Sequence, residues 1–194
     1  MAHLPDMASS TLLTVDDLVN LPGEYTDLPH ELVRGVLHLV TPAVSAHGLV
    51  VVRVSTALAQ HVYSHGLGEV FGEATGFVLE RDPDTLLCPD VAFVASRRLP
   101  PEGLDLSFLE LAPDLAVEVV SKSDRPKAVR AKVDLYLRLG VRCVWVVDLA
   151  RRAVGIHSAD GSETLVGEDS VLEGGEILPG FSCPVASLFA ALRR

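Results

Sequence analysis

The chain has little cysteine: Cys88, Cys143 and Cys183 are the only three in 194 residues. Their odd number, wide spacing and mostly apolar settings argue against a disulfide framework or a thiolate zinc site. They read as buried, inert thiols that behave as small hydrophobes, and a cytoplasmic location is the expectation. Long apolar runs are also missing. No uninterrupted stretch approaches the ~18–20 residues that span a bilayer. The richest one, 44–59, is broken by His47, Arg53 and polar residues, so no membrane partner is expected. The opening MAHLPDMASS lacks a basic segment followed by an apolar one and does not read as a signal peptide. Basic residues are in deficit, 16 Lys and Arg against 26 Asp and Glu, for a net charge of −10. That balance is awkward for a nucleic-acid partner, because phosphate binding needs a basic face. The basic residues are nevertheless clustered: Lys122, Arg125, Lys127, Arg130, Lys132 and Arg138 fall within 17 positions. They form either a local positive patch or a solvated helix face. There is no G-x-x-x-x-G-K-[ST] and no G-x-G-x-x-G, so no nucleotide cofactor is expected. There is also no G-x-S-x-G of a serine hydrolase. No internal repeat or low-complexity segment is found.

What is present is enough apolar material for a core. A hydrophobic share of 48% and a mean hydropathy of +0.34 suit one globular domain rather than a disordered chain. Residues 1–13 read as a flexible leader and 14–194 as a single domain. Thr14 can cap a helix with Asp17 in its first turn, and Pro22-Gly23 would end it. Residues 31–40 suggest a hairpin with Gly35 at its turn or bulge. Residues 45–63 read as a helix, with His47, Val51, Val54, Leu58 and His61 on one stripe. Residues 69–80 are strand-like, interrupted at Gly72 and Gly76, and Pro83-Asp84 turns the chain into the Asp90 strand. A strand at 114–120, a helix at about 125–139 and a strand at 141–147 make a βαβ unit, which predicts a parallel pair. Pro126 suits the first turn of that helix and Gly140 its C-terminal cap. Two edge strands, 153–157 and 163–166, are expected around Asp160-Gly161, and Pro184 opens a last helix ending near Arg193.

Two carboxylates stand where an acid is costly. Cys88-Pro89-Asp90-Val91-Ala92-Phe93-Val94 and Leu115-Ala116-Val117-Glu118-Val119-Val120 each embed one in an apolar, strand-like segment. A buried carboxylate needs a partner, hydrogen bonds or a metal. Two brought together repel, and a divalent cation is the usual remedy. Plainer readings exist. Asp90 can cap a turn after Pro89, Lys132 can snorkel from a helix face, His47 can be a core histidine and Glu31 an exposed strand residue. Tyr136 reads as core packing, and His3, His30, His38, His61, His65 and His157 are read as lacking the H-x-x-x-H or H-x-H spacing of metal ligands.

Taken in order, the motifs resemble the PD-(D/E)xK nuclease superfamily, and more closely its widespread bacterial family of restriction-endonuclease-like proteins. They are HELVRG at 30–35, His47 opening a helix, TGF at 75–77, PDVAFV at 89–94, AVEVVS at 116–121, K-x-x-x-Y-x-x-x-G-V from Lys132 to Val141, and WVVD at 145–148. The resemblance runs from about 14 to about 190. It implies an α/β fold of restriction-endonuclease-like type, a central mixed sheet flanked by helices with the site at one end of the central strands. It also implies Mg²⁺ or Mn²⁺ held by Asp90, Glu118 and the Val119 carbonyl, with His47 a further ligand or a group orienting water. In the wider superfamily a lysine lies two residues after the acid; here that position is Val120, and the resemblance points to Lys132 on the next helix. Glu31 matches a further acidic position of the site. The position four before Lys132, commonly acidic in the family, is Ala128, which weakens the support expected for the lysine. The function implied is a metal-dependent endonuclease hydrolysing DNA phosphodiester bonds, plausibly as a homodimer because a duplex has two strands to cut. The alternative is a catalytically weak or inactive nuclease-like module that binds nucleic acid or a protein partner.

Overall fold

The structure, a computed structural model, describes residues 12–20, 30–39 and 43–192. In chain order it contains α1 (Val15–Val19), β1 (His30–Val33), β2 (Val36–Leu39), α2 (Ser45–His65), β3 (Gly68–Gly72), β4 (Phe77–Glu80), β5 (Thr85–Leu87) and β6 (Val91–Ala95). There follow β7 (Leu115–Val120), α3 (Pro126–Arg138), β8 (Cys143–Asp148), β9 (Ala153–Ser158), β10 (Glu163–Gly167), β11 (Val171–Glu173), β12 (Ser182–Pro184) and α4 (Val185–Phe189). The main sheet is mixed, in the order β10-β9-β8-β7-β6-β3. β7 and β8 run parallel, with Leu115 opposite Cys143 and Val120 opposite Asp148; the other neighbours are antiparallel. A smaller antiparallel sheet has the order β2-β1-β5-β4, and β11 pairs with β12. This is the mixed α/β fold, a central sheet flanked by helices, that the motifs imply.

Period-two alternation places the layers. Val117 and Val119 of β7, with Cys143, Trp145 and Val147 of β8, face one side. There they meet Val50, Val51, Val54, Leu58 and Val62 of α2, and α4. Ala116 and Val144 face the other side and meet Val133, Leu135 and Tyr136 of α3. The helices end as local chemistry dictates. Thr14 and Asp17 form a reciprocal capping box at α1. α2 closes on Gly66 in the left-handed region at φ 60°, and Pro126 opens α3. The two-residue turn Arg34-Gly35 joins β1 to β2, with positive φ at both residues (50° and 78°), the geometry that matches strand twist.

Four expectations need correction. Residues 69–80 are not one interrupted strand: β3 belongs to the main sheet and β4 to the smaller one. Pro83-Asp84 leads into β5, not straight to the Asp90 strand. β9 lies inside the main sheet, so only β10 is an edge. The last helix spans Val185–Phe189, shorter than expected. The Pro22-Gly23 helix end and most of the 1–13 leader lie outside the described residues.

Leu58 is fully buried where α2 meets the main sheet. Leu58→Ala is expected to lose ~2–5 kcal/mol of stability in urea unfolding followed by Trp145 fluorescence. A loss below about 1 kcal/mol would mean that α2 is not seated as described.

Candidate active site

The pocket forms at the end of the central strands because three periodicities coincide. Antiparallel pairing sets Val91 opposite Val117, so Asp90, one residue earlier, lies beside Glu118. Alternation turns Glu118 to the same face as Ala116, toward α3. On α3, Lys132 and Tyr136 are one turn apart and share a face. Each reaches one oxygen of Glu118: Lys132 Nζ donates to Oε2 at 2.9 Å, and Tyr136 OH donates to Oε1 at 2.7 Å. Lys132 Nζ also lies 3.1 Å from Glu31 Oε1. Glu31, on β1, accepts the Cys88 N–H at 3.0 Å, which ties the small sheet to the approach to Asp90. Asp90 Oδ2 accepts the Val119 N–H at 2.6 Å and lies 3.2 Å from His47 Nε2, in the first turn of α2. The cavity these groups surround has a volume of about 360 Å³.

Burial and charge act against each other here. Burial pushes the Glu118 carboxyl up to about 7; Lys132 pulls it down, while Asp90 and Glu31 add to the rise. Burial also opposes the Lys132 charge, but Glu118 and Glu31 outweigh it and hold the ammonium above its ordinary value. Lys132 is therefore cationic at neutral pH, and Glu118 gains and loses its proton near neutrality. The hydrogen bond with Asp90 raises the His47 imidazole. Burial and the Glu118 charge hold the Tyr136 phenol well above its ordinary value.

All five residues singled out from the sequence, Glu31, His47, Asp90, Glu118 and Lys132, line this one cavity. Ala128 lines it too, and Lys132 draws its carboxylates from β1 and β7 instead of from that position. Two contributors were missed. Tyr136 is fully buried, as a core residue would be, but its hydroxyl holds Glu118. Glu73, in the turn after β3, lines the mouth and adds to the field on His47. Only the tyrosine left a signal, its place one turn after Lys132.

Asp90 and Glu118 are hard oxygen donors of the kind Mg²⁺ and Mn²⁺ take. As arranged, however, they do not make a metal cage. Among the described residues no three His, Cys, Asp or Glu side chains converge as a metal-binding group. Both Glu118 oxygens already accept hydrogen bonds, and Asp90 Oδ2 accepts from the Val119 N–H and lies beside His47. The site is an ion-paired cluster with an acidic floor.

Comparison with known proteins agrees with this fold. The Uma2 family, described as "Putative restriction endonuclease", matches residues 15–186. A crystal structure from Anabaena variabilis, described as "a putative nuclease belonging to DUF820", superposes with a TM-score of 0.78 at 17% identity, covering 92% of this chain and 98% of that one. At that identity the likeness shows the fold alone. No curated protein matches the chain.

The Glu118 shift has a consequence for stability. Its folded value of about 7 lies above the ordinary 4.5, so the folded state binds the extra proton between these values and stability falls as pH rises through the window. Glu118→Gln removes that slope. The stability of the variant minus that of wild type, from urea unfolding in EDTA, is expected to rise from pH 5 to 8 by on the order of 3 kcal/mol at most; a flat difference would refute the shift. Burial and the Glu31 charge push the Cys88 thiol up to about 12, and burial pushes Cys143 up to about 11. Neither half-buried Cys88 nor buried Cys143 is expected to react with iodoacetamide at pH 7.5 in the folded protein, as mass spectrometry would show; rapid native alkylation of either would contradict the raised thiol.

Proposed function

Because the chain belongs to the Uma2 family of nuclease-like proteins, we propose that it is a nuclease-fold module that binds nucleic acid at this pocket and is catalytically weak in the arrangement described. One observation carries the reading. Lys122, Arg125 and Lys127 are exposed on the loop after β7 and the first turn of α3, and Arg125 lines the cavity mouth. The local basic cluster thus falls beside the pocket on a chain that is otherwise acidic. Lysines and arginines so placed engage a phosphate backbone without reading its sequence. This favours a nucleic acid over an acidic protein surface as the partner.

A second reading is metal-dependent hydrolysis of DNA phosphodiester bonds, favoured by the acidic floor. Glu31, Asp90 and Glu118 repel a phosphodiester unless a cation lies between them. In this reading Asp90, Glu118, His47 and the Val119 carbonyl would hold Mg²⁺ or Mn²⁺, which would supply Lewis-acid polarisation of a phosphoryl oxygen and a more acidic bound water. Lys132 takes the part of the lysine displaced from position 120, and Glu31 keeps its ammonium in place. A homodimer would bring two pockets to the two strands of a duplex.

The two readings separate in one set of measurements. Duplex DNA binding by fluorescence anisotropy is expected to persist in EDTA, to weaken with salt at a slope of about −3 in log K against log salt if three phosphates are engaged, and to be lost in the triple variant Lys122→Glu, Arg125→Glu, Lys127→Glu. Supercoiled plasmid with Mg²⁺, Mn²⁺ or EDTA is expected to stay largely intact. Metal-dependent nicking that disappears in Asp90→Ala would replace the first reading with the second. Neither binding nor cleavage would sink both.

A further inference from the structure

Two histidines outside the pocket have the bonding of metal ligands. His61 and His65 stand four residues apart near the C-terminal end of α2, a spacing that puts both on one face; HVYSH at 61–65 is an H-x-x-x-H, which corrects the reading that these histidines lack it. Their rings lie with centroids 4.3 Å apart, tilted by 33°. Backbone carbonyls settle both tautomers. His61 Nε2 is 3.0 Å from the Pro179 carbonyl oxygen, and His65 Nδ1 is 2.8 Å from that of His61. A carbonyl only accepts, so each of these nitrogens carries the proton. Ser64 Oγ, 3.1 Å from His65 Nδ1, donates its own proton to the Gln60 carbonyl at 2.6 Å, and so meets that ring as an acceptor. In the neutral imidazoles it is then the other nitrogens, His61 Nδ1 and His65 Nε2, that carry the lone pairs. No hydrogen bond among the described residues engages either one.

Metal-ligating histidines typically donate their second N–H to a carbonyl or carboxylate, which fixes the tautomer and orients the ring. Both rings here do so before any ion arrives. His61 is held further by an edge contact with Phe181, centroids 5.5 Å apart at 85°. We propose that His61 and His65 form a two-imidazole site for a borderline divalent transition metal, Zn²⁺, Cu²⁺ or Ni²⁺, with water completing the coordination. Imidazole suits these ions, whereas carboxylate oxygens suit Mg²⁺ and Mn²⁺, so ligand chemistry separates this site from the pocket. Distance separates it too: His47 and His61 lie fourteen residues apart on one helix, roughly 21 Å along its axis.

The test is calorimetric titration of the full chain with Zn²⁺, using wild type, Asp90→Ala, His61→Ala and His65→Ala. His65 is exposed, so its variant is expected to keep the wild-type circular dichroism and melting temperature. Loss of a group that merely supports a ligand costs ~10–100-fold in metal affinity. Loss of a ligand itself is therefore expected to weaken Zn²⁺ binding by at least roughly tenfold in His61→Ala and in His65→Ala, with Asp90→Ala binding like wild type. Wild-type affinity in a folded His65→Ala, or loss of the Zn²⁺ event in Asp90→Ala alone, would overturn the proposal.

Discussion

The pocket depends on one ammonium group. Lys132 Nζ lies between Glu118 Oε2 at 2.9 Å and Glu31 Oε1 at 3.1 Å, and so joins α3 to both the main and the smaller sheet. A buried ion pair adds little net stability, because desolvation consumes most of its Coulomb energy. Removing one partner is expensive, ~3–5 kcal/mol, because the other charge is stranded. Apolar side chains of similar size would hold these three elements together as well. The cluster is therefore better understood as a device that fixes carboxylates in place than as a stabiliser. Glu31, Asp90 and Glu118 line one cavity, and Lys132 holds two of them, Glu31 and Glu118.

The accuracy of this placement comes from two periods meeting at one side chain. On β7, odd-numbered residues face the α2 core and even-numbered ones face α3. A register slip of one residue would turn Glu118 into the apolar layer occupied by Val54, Leu58 and Trp145, where no charge partner waits. On α3, the four-residue step between Lys132 and Tyr136 spans one turn, so one side chain reaches each Glu118 oxygen. Changing the spacing on either element would leave an oxygen unpartnered in a buried position, at a cost of ~1–3 kcal/mol or more.

What could be read from the sequence followed the same division between local and distant causes. The cap at Thr14 with Asp17 in the first turn, Pro126 at the start of α3 and the parallel pair around that helix all rest on neighbours within a few residues or on one crossover. They stand as expected. Which strand joins which sheet is decided by pairing across the chain, and there the reading failed: β3 and β4 part company, and β9 is covered by β10. Glu118 was legible because an acid in an apolar strand demands a partner. Tyr136 was not, because a buried tyrosine needs no explanation until its hydroxyl is seen 2.7 Å from a carboxylate. His61 and His65 had the right spacing, but the carbonyl that fixes the His61 tautomer belongs to Pro179, 118 positions away.

Whether such a pocket only binds or also cuts turns on Lys132 rather than on the carboxylates. A carboxylate has about four lone-pair sites, and the contacts with Lys132 and Tyr136 occupy two of those on Glu118. Asp90 Oδ2 accepts the Val119 N–H and faces His47. Acceptor capacity is thus left on both residues. The obstacle to a second cation is electrostatic: the Lys132 ammonium already lies against Glu118 and Glu31, and like charges a few ångströms apart repel strongly where water is scarce. Tyr136, buried, holds Glu118 in one orientation in either reading, so the two readings differ in whether a divalent cation can share these carboxylates with the ammonium.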